Sequence, residues 1–91
     1  MKKIKMIVTG RVQGVGFRFT TKMAADRLKI GGIVKNLAEG SVYIEANGTD
    51  DQLETFIKII KASPSPSGKV EQVELIEDPS LPIRDNFKVT Y

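Results

Sequence analysis

Apolar and polar residues alternate with period two through KIKMIVTGRV (3–12), which puts Ile4, Met6 and Val8 on one side and Lys3 and Lys5 on the other. That pattern predicts a strand with one buried face. Beyond Arg18 the period lengthens. Thr21, Ala25 and Leu28, with Ala24 beside them, share a helical face and predict a helix over about 18–29. Gly31-Gly32 breaks it, IVKN (33–36) begins a second strand, and Leu37-Ala-Glu-Gly40 reads as a hairpin connection. In SVYIEAN (41–47), Val42, Ile44 and Ala46 alternate with Tyr43 and Glu45 as a third strand. The second helix is signalled by Thr49 as cap, Gln52 closing a capping box, and Leu53, Phe56, Ile57 and Ile60 at helical spacing. Two prolines in Ser63-Pro-Ser-Pro-Ser-Gly68 end it as a loop. Val70, Val73 and Leu75 mark a fourth strand, and Phe87, Val89 and Tyr91 alternate in a last one.

The order β-α-β-β-α-β predicts an α+β, ferredoxin-like split βαβ sandwich: an antiparallel sheet with both helices on one face. At 91 residues, with no internal repeat and no dividing linker, residues 1–91 are expected to form a single domain. Many unrelated activities use this topology, so function has to be read from a site.

Composition narrows the chemistry. Cysteine and histidine are both absent, which removes disulfides, thiolate chemistry, the usual general base near neutral pH and the commonest transition-metal ligand. Apolar runs are too short to span a bilayer, and MKKIKMIVTG reads as a strand rather than a signal peptide, so a cytoplasmic protein with no membrane role is expected, and its small size and good core make a monomer the default expectation. The net charge of +3 hides a polarity: residues 1–35 carry nine Lys/Arg against Asp26 alone, and residues 36–91 carry five against ten Asp/Glu. Such a field steers anions towards the first third of the chain, although a scatter of solvated lysines gives the same count.

The candidate chemistry lies in GRVQGVGFR (10–18), between the first strand and the first helix. Arg18 falls in the first helical turn, where the macrodipole disfavours a cation. Gly14 and Gly16 permit positive φ, and alternating backbone conformations there turn successive N–H groups inward as an anion nest that continues into the helix N-terminus. Arg18 then adds a planar fork suited to two phosphate oxygens. From the residues alone, a tight strand–helix turn with an exposed arginine remains equally open. The GxGxxG pattern lacks its third glycine and no GxxxxGK[ST] is present, so a small phosphate-bearing ligand fits better than a nucleotide. An acyl phosphate suits a chain without histidine or cysteine, because its carboxylate leaves readily and phosphoryl transfer depends on positioning and electrostatics. A neutral amide can orient the water.

GRVQGVGFR resembles the first signature of the acylphosphatases, and Gly32-Ile-Val-Lys-Asn-Leu-Ala-Glu-Gly-Ser-Val42, with Gly48 six residues on, resembles the second. The likeness runs through the first helix and the two-strand segment, and the length fits the whole family domain. It implies a hydrolase that needs no metal or cofactor and splits an acyl phosphate into carboxylate and inorganic phosphate. Inorganic phosphate and sulfate are then expected to compete as anions. Arg18 matches the family's phosphate-binding arginine, Asn36 the asparagine that orients the attacking water, and Gln13, Gly14, Val15, Gly16 and Phe17 the loop whose amides hold the phosphate. Without the resemblance, Asn36 reads as a strand-end residue satisfying a hairpin backbone.

Phe17 and Phe19 are expected as core or loop supports, Thr20 as a helix-start residue, Thr21 as packing, and Lys35 as a solvated neighbour of Asn36. Two departures stand out. Ile33 replaces a frequent aromatic and is expected to alter packing beside Asn36. Lys29 occupies a position where many relatives have glycine. Three other readings are weaker. A carbamoyl-phosphate domain of hydrogenase maturation normally belongs to a much longer chain. An RNA-binding module lacks its RNP1 pattern and has Tyr43 as the lone aromatic on the two strands that would carry it, so no nucleic acid is expected. The third is a non-catalytic anion sensor.

Overall fold

The computed structural model describes residues 1–91. The elements are β1 (Lys2–Arg11), α1 (Phe17–Leu28), β2 (Gly31–Asn36), β3 (Val42–Gly48), α2 (Asp50–Ala62), β4 (Lys69–Glu77) and β5 (Phe87–Val89). One sheet carries the strands in the order β4-β1-β3-β2-β5. The period-two residues of β1 and β3 face the helices as expected: Ile4, Met6, Val8, Val42, Ile44 and Ala46 are all buried. They meet Phe17, Ala24 and Ala25 of α1 and Leu53, Phe56 and Ile60 of α2 in one core. Phe56 and Phe87 close it edge to face, with ring centroids 5.9 Å apart.

The sheet is mixed rather than wholly antiparallel. The β1–β3, β1–β4 and β2–β3 pairings are antiparallel, but β5 runs parallel to β2, with Gly32, Ile33 and Val34 opposite Phe87, Lys88 and Val89. The cause is the 78–86 connection, which stays at one end of the sheet. There the Asp78 N–H donates to the Lys3 carbonyl, and Asn47 brackets Arg84, donating to its carbonyl and accepting from its N–H. The chain therefore reaches the far edge at the end where β2 begins and has to run alongside it.

The glycine pair 31–32 does not break α1; it opens β2. A Cβ at Gly31 would lie 1.8 Å from the Arg84 carbonyl oxygen, and one at Gly32 would lie 1.9 Å from that of Glu45. Both glycines answer close backbone approach. Helix α1 ends earlier, at Lys29 in the left-handed region (φ 58°, ψ 40°). The N–H groups of Lys29 and Ile30 return to the carbonyls of Asp26 and Ala25 in a Schellman motif. The Thr49–Gln52 capping box of α2 forms as its residues predict, with Oγ1 of Thr49 accepting from the Gln52 N–H at 3.2 Å and Oε1 of Gln52 accepting from the Thr49 N–H at 2.8 Å. Ile33 points to the open face, opposite Glu45 and Lys88, so it does not touch the packing beside Asn36.

On that open face, Tyr43 donates to Glu45 at 2.6 Å, and Arg84 pairs with the same carboxylate at 2.5 Å. Burial and the adjacent carboxylate push the Tyr43 hydroxyl up to about 12. Lys35 stacks over Tyr43, 5.6 Å from its ring centroid, rather than standing free beside Asn36.

A left-handed lysine costs about 1–2 kcal/mol that glycine avoids. Lys29→Gly is expected to raise stability by about 1 kcal/mol in urea denaturation and to leave turnover unchanged.

Candidate active site

Three segments meet at one end of the sheet: the loop between β1 and α1, the last residue of β2, and the chain just beyond β5. Between them lies a cavity of about 230 Å³ lined by Val12, Gly14, Gly16, Phe17, Arg18, Phe19, Asn36, Val89 and Tyr91. Arg18 and Asn36, eighteen positions apart in sequence, thus share one cavity.

The loop has the alternation that a nest requires. Gly14 and Gly16 have φ of 75° and 77°, and Val15 between them does not have positive φ. Gly16 also caps α1, without a side-chain acceptor and with no acidic residue in the first turn. The N–H groups of Gly14, Val15, Gly16, Phe17 and Arg18 have no acceptor in the protein; the first backbone bond of the helix is from Thr20 to Gly16. Thr20 Oγ1 bonds the carbonyls of Gly16 and Phe17, the helix-start role expected of it. Thr21 is buried, as a packing residue should be.

Not every residue of the signature faces the cavity. Phe17 is 1 % exposed and anchors the loop in the core, with part of its surface on the cavity wall. The Gln13 side chain turns away and donates to the carbonyls of Leu37 and Ser41, at 2.8 and 2.9 Å. It ties the glycine loop to the hairpin that follows Asn36. Val15 packs against the core edge.

Arg18 makes no ion pair. Lys22, one turn on, pairs with Asp26 at 2.6 Å, so the one acidic residue of α1 is engaged away from the guanidinium. Arg18 Nη1 donates to the Thr90 carbonyl at 3.3 Å, and its guanidinium carbon stands 4.7 Å from the centroid of the Tyr91 ring. Tyr91 therefore does not extend the alternation of Phe87 and Val89. The chain leaves the ladder after the Thr90 N–H bonds Val34, and the Tyr91 side chain is 96 % exposed above Arg18.

Asn36 shares the helix-facing side of β2 with Val34. Its Oδ1 is buried with no hydrogen-bond partner, a costly state for an amide acceptor. The hairpin backbone is satisfied without it, since the Leu37 N–H bonds Ser41 and the Gly40 N–H bonds Leu37.

Phe19 differs from expectation: it is 64 % exposed and lines the cavity mouth rather than supporting the core. Its signal in the sequence is an apolar side chain off the Thr21–Ala25–Leu28 face. For Val89 and Tyr91, over seventy positions from Arg18, the sequence carries no such signal.

The acylphosphatase family model matches residues 4–89. An acylphosphatase of Enterococcus faecalis is 55 % identical over 89 residues, covering 98 % of each chain. The crystal structure of acylphosphatase from Bacillus subtilis superposes with a TM-score of 0.95 at 41 % identity, over the full length of both chains. Full-length HypF in its phosphate- and nucleotide-bound form matches at 27 % identity and a TM-score of 0.86, but the match takes up only 12 % of that chain. The fold, the match along nearly the whole chain and the relatives of equal length agree: this chain belongs to the acylphosphatase family and is an acylphosphatase.

Proposed function

We propose that the cavity hydrolyses the carboxyl–phosphate bond with Arg18 and the loop amides as phosphate site and Asn36 as the group that orients water. The observation that carries this reading is the run of five N–H groups, Gly14 to Arg18, left without a protein acceptor beside an arginine without an acid. A tetrahedral dianion satisfies both, and the positive end of the α1 dipole adds to the attraction. Arg18 is then well placed at a helix N-terminus, because its anion neutralises what the helix repels.

In this reading the Asn36 Oδ1 accepts a hydrogen bond from water and directs its oxygen at phosphorus. The new P–O bond forms as the bond from phosphorus to the acyl oxygen breaks, and the carboxylate leaves with the electron pair. One water proton passes to a phosphate oxygen, so an acyl phosphate dianion and water give a carboxylate and dihydrogen phosphate. No side chain has to act as a base, which fits a chain without histidine or cysteine. Charge neutralisation, which a metal supplies in many phosphoryl-transfer sites, falls to the guanidinium and the amides. Inorganic phosphate and sulfate compete for the same donors. The cavity is built within one chain, in keeping with a monomer, and the cysteine-free composition suits the cytoplasm.

The test is phosphate release from benzoyl phosphate in EDTA. Turnover by the unmodified protein is expected, with Asn36→Ala lowering kcat by about 10²–10³ while the inhibition constant for phosphate stays nearly constant. Arg18→Ala is expected to lose both turnover and the rise in melting temperature that phosphate gives the unmodified protein. Arg18→Lys should recover little, since a point charge does not reproduce the fork. Equal loss of turnover and phosphate affinity in both alanine variants would overturn this division of roles.

A further inference from the structure

The glycine loop is held from behind by a segment outside the cavity. Ser63-Pro-Ser-Pro-Ser-Gly68 joins α2 to β4, and its central residue, Ser65, is 3 % exposed. Ser65 Oγ donates to the Val15 carbonyl, fifty positions away, at 2.5 Å. Its own carbonyl accepts from Ser63 Oγ at 2.9 Å and from the Gly68 N–H at 3.1 Å. Pro64 and Pro66 fix φ on either side of Ser65, and Pro66 disfavours helical backbone at the serine. The turn is seated on the loop, for a Cβ at Gly68 would come within 3.1 Å of the Arg11 carbonyl oxygen and 3.4 Å of Val15 Cγ2. The serine hydroxyl thus has little freedom to leave its partner.

In a trans peptide, the carbonyl and the next N–H point in opposite directions. With the Val15 carbonyl drawn to Ser65, which does not line the cavity, the Gly16 N–H of the same peptide plane points the other way, and Gly16 does line it. Turning that plane over changes ψ of Val15 and φ of Gly16, and glycine accepts either sign of φ. In the turned state a carbonyl oxygen, rather than an N–H, would face the phosphate. Gly16 leaves both orientations open on its side of the peptide, and the bond to Ser65 holds the observed one.

We propose that Ser65 is a positioning residue for phosphate binding, its hydroxyl holding the Val15–Gly16 peptide plane with the Gly16 N–H directed at the substrate phosphate. This rests on the phosphate reading of the loop given above. Ser65 touches no reacting atom, and its effect appears in binding.

The experiment combines benzoyl phosphate kinetics with amide NMR spectra of ¹⁵N-labelled protein during titration with inorganic phosphate. Ser65→Ala is expected to raise KM and the phosphate inhibition constant together by about tenfold, with a smaller change in kcat. The Gly16 amide should lose its phosphate-dependent shift while those of Gly14 and Phe17 persist, and Ser65→Thr, which keeps the hydroxyl, should restore both readouts. A lower melting temperature in Ser65→Ala with unchanged KM, inhibition constant and Gly16 shift would overturn the role and leave a purely structural serine. If Ser65→Ala does not fold, Ser65→Cys, a weaker donor, takes its place with an intermediate affinity expected; affinity equal to the unmodified protein overturns the proposal. Absence of any phosphate-dependent shift from Gly14 to Arg18 in the unmodified protein would overturn the phosphate reading itself, and this inference with it.

Discussion

Positive charge and unpaired donors crowd the first turn of α1, and the surrounding fold has to hold them there against their mutual repulsion. The helix brings its dipole, Arg18 brings a full charge, and no acidic side chain enters the turn. A cation in this position typically costs about 0.3–1 kcal/mol. Burial of Phe17 beneath the turn, the Gln13 amide across to the hairpin, the Thr90 carbonyl and the Tyr91 ring all oppose that cost from different sides. They draw on three parts of the chain: the glycine loop itself, the hairpin after β2 and the segment beyond β5. The site is therefore a local weakness that the whole sheet supports, and in the proposed reading a bound phosphate relieves it.

The mixed sheet serves that arrangement. Because the 78–86 connection keeps to one end, β5 runs parallel to β2 and both strands finish on the same side, where Asn36 and Thr90 end up beside the α1 N-terminus. An antiparallel last strand would have carried Thr90 and Tyr91 to the opposite end. The direction of one short edge strand decides whether Arg18 has partners.

What could be read in advance follows the range of the interactions. The capping box of α2 joins Thr49 to Gln52, three positions apart, and both halves form as their residue types require. The alternation in β1 and β3 likewise reports a burial that each residue experiences singly. Lys29 stood out only against the family resemblance, and the left-handed end of α1 gives that departure its physical meaning. Gly31-Gly32 misled because a breaker and a close approach use the same residue; only the Arg84 and Glu45 carbonyls distinguish them. Arg18 and Asn36 were legible through linked signatures. Tyr91, exposed Phe19 and buried Ser65 were not, since their meaning depends on partners that no periodicity connects.

The strand register also bears on how quickly the protein assembles. Ile4 sits opposite Glu77, Arg11 opposite Lys69 and Gly32 opposite Phe87, so the β1–β4 and β2–β5 pairings join residues more than fifty positions apart, and β1–β3 joins residues from Lys2 with Gly48 to Val8 with Val42. Of the pairings, only the β2–β3 hairpin is local. Loop-closure entropy must be spent before such contacts yield anything, which slows folding relative to a helical bundle of similar size. Both strands flanking β2 and β1 at the sheet edges belong to the second half of the chain, so the newly made first half has an unfinished sheet. A chain this small and this simply composed is, by its wiring, a slow folder.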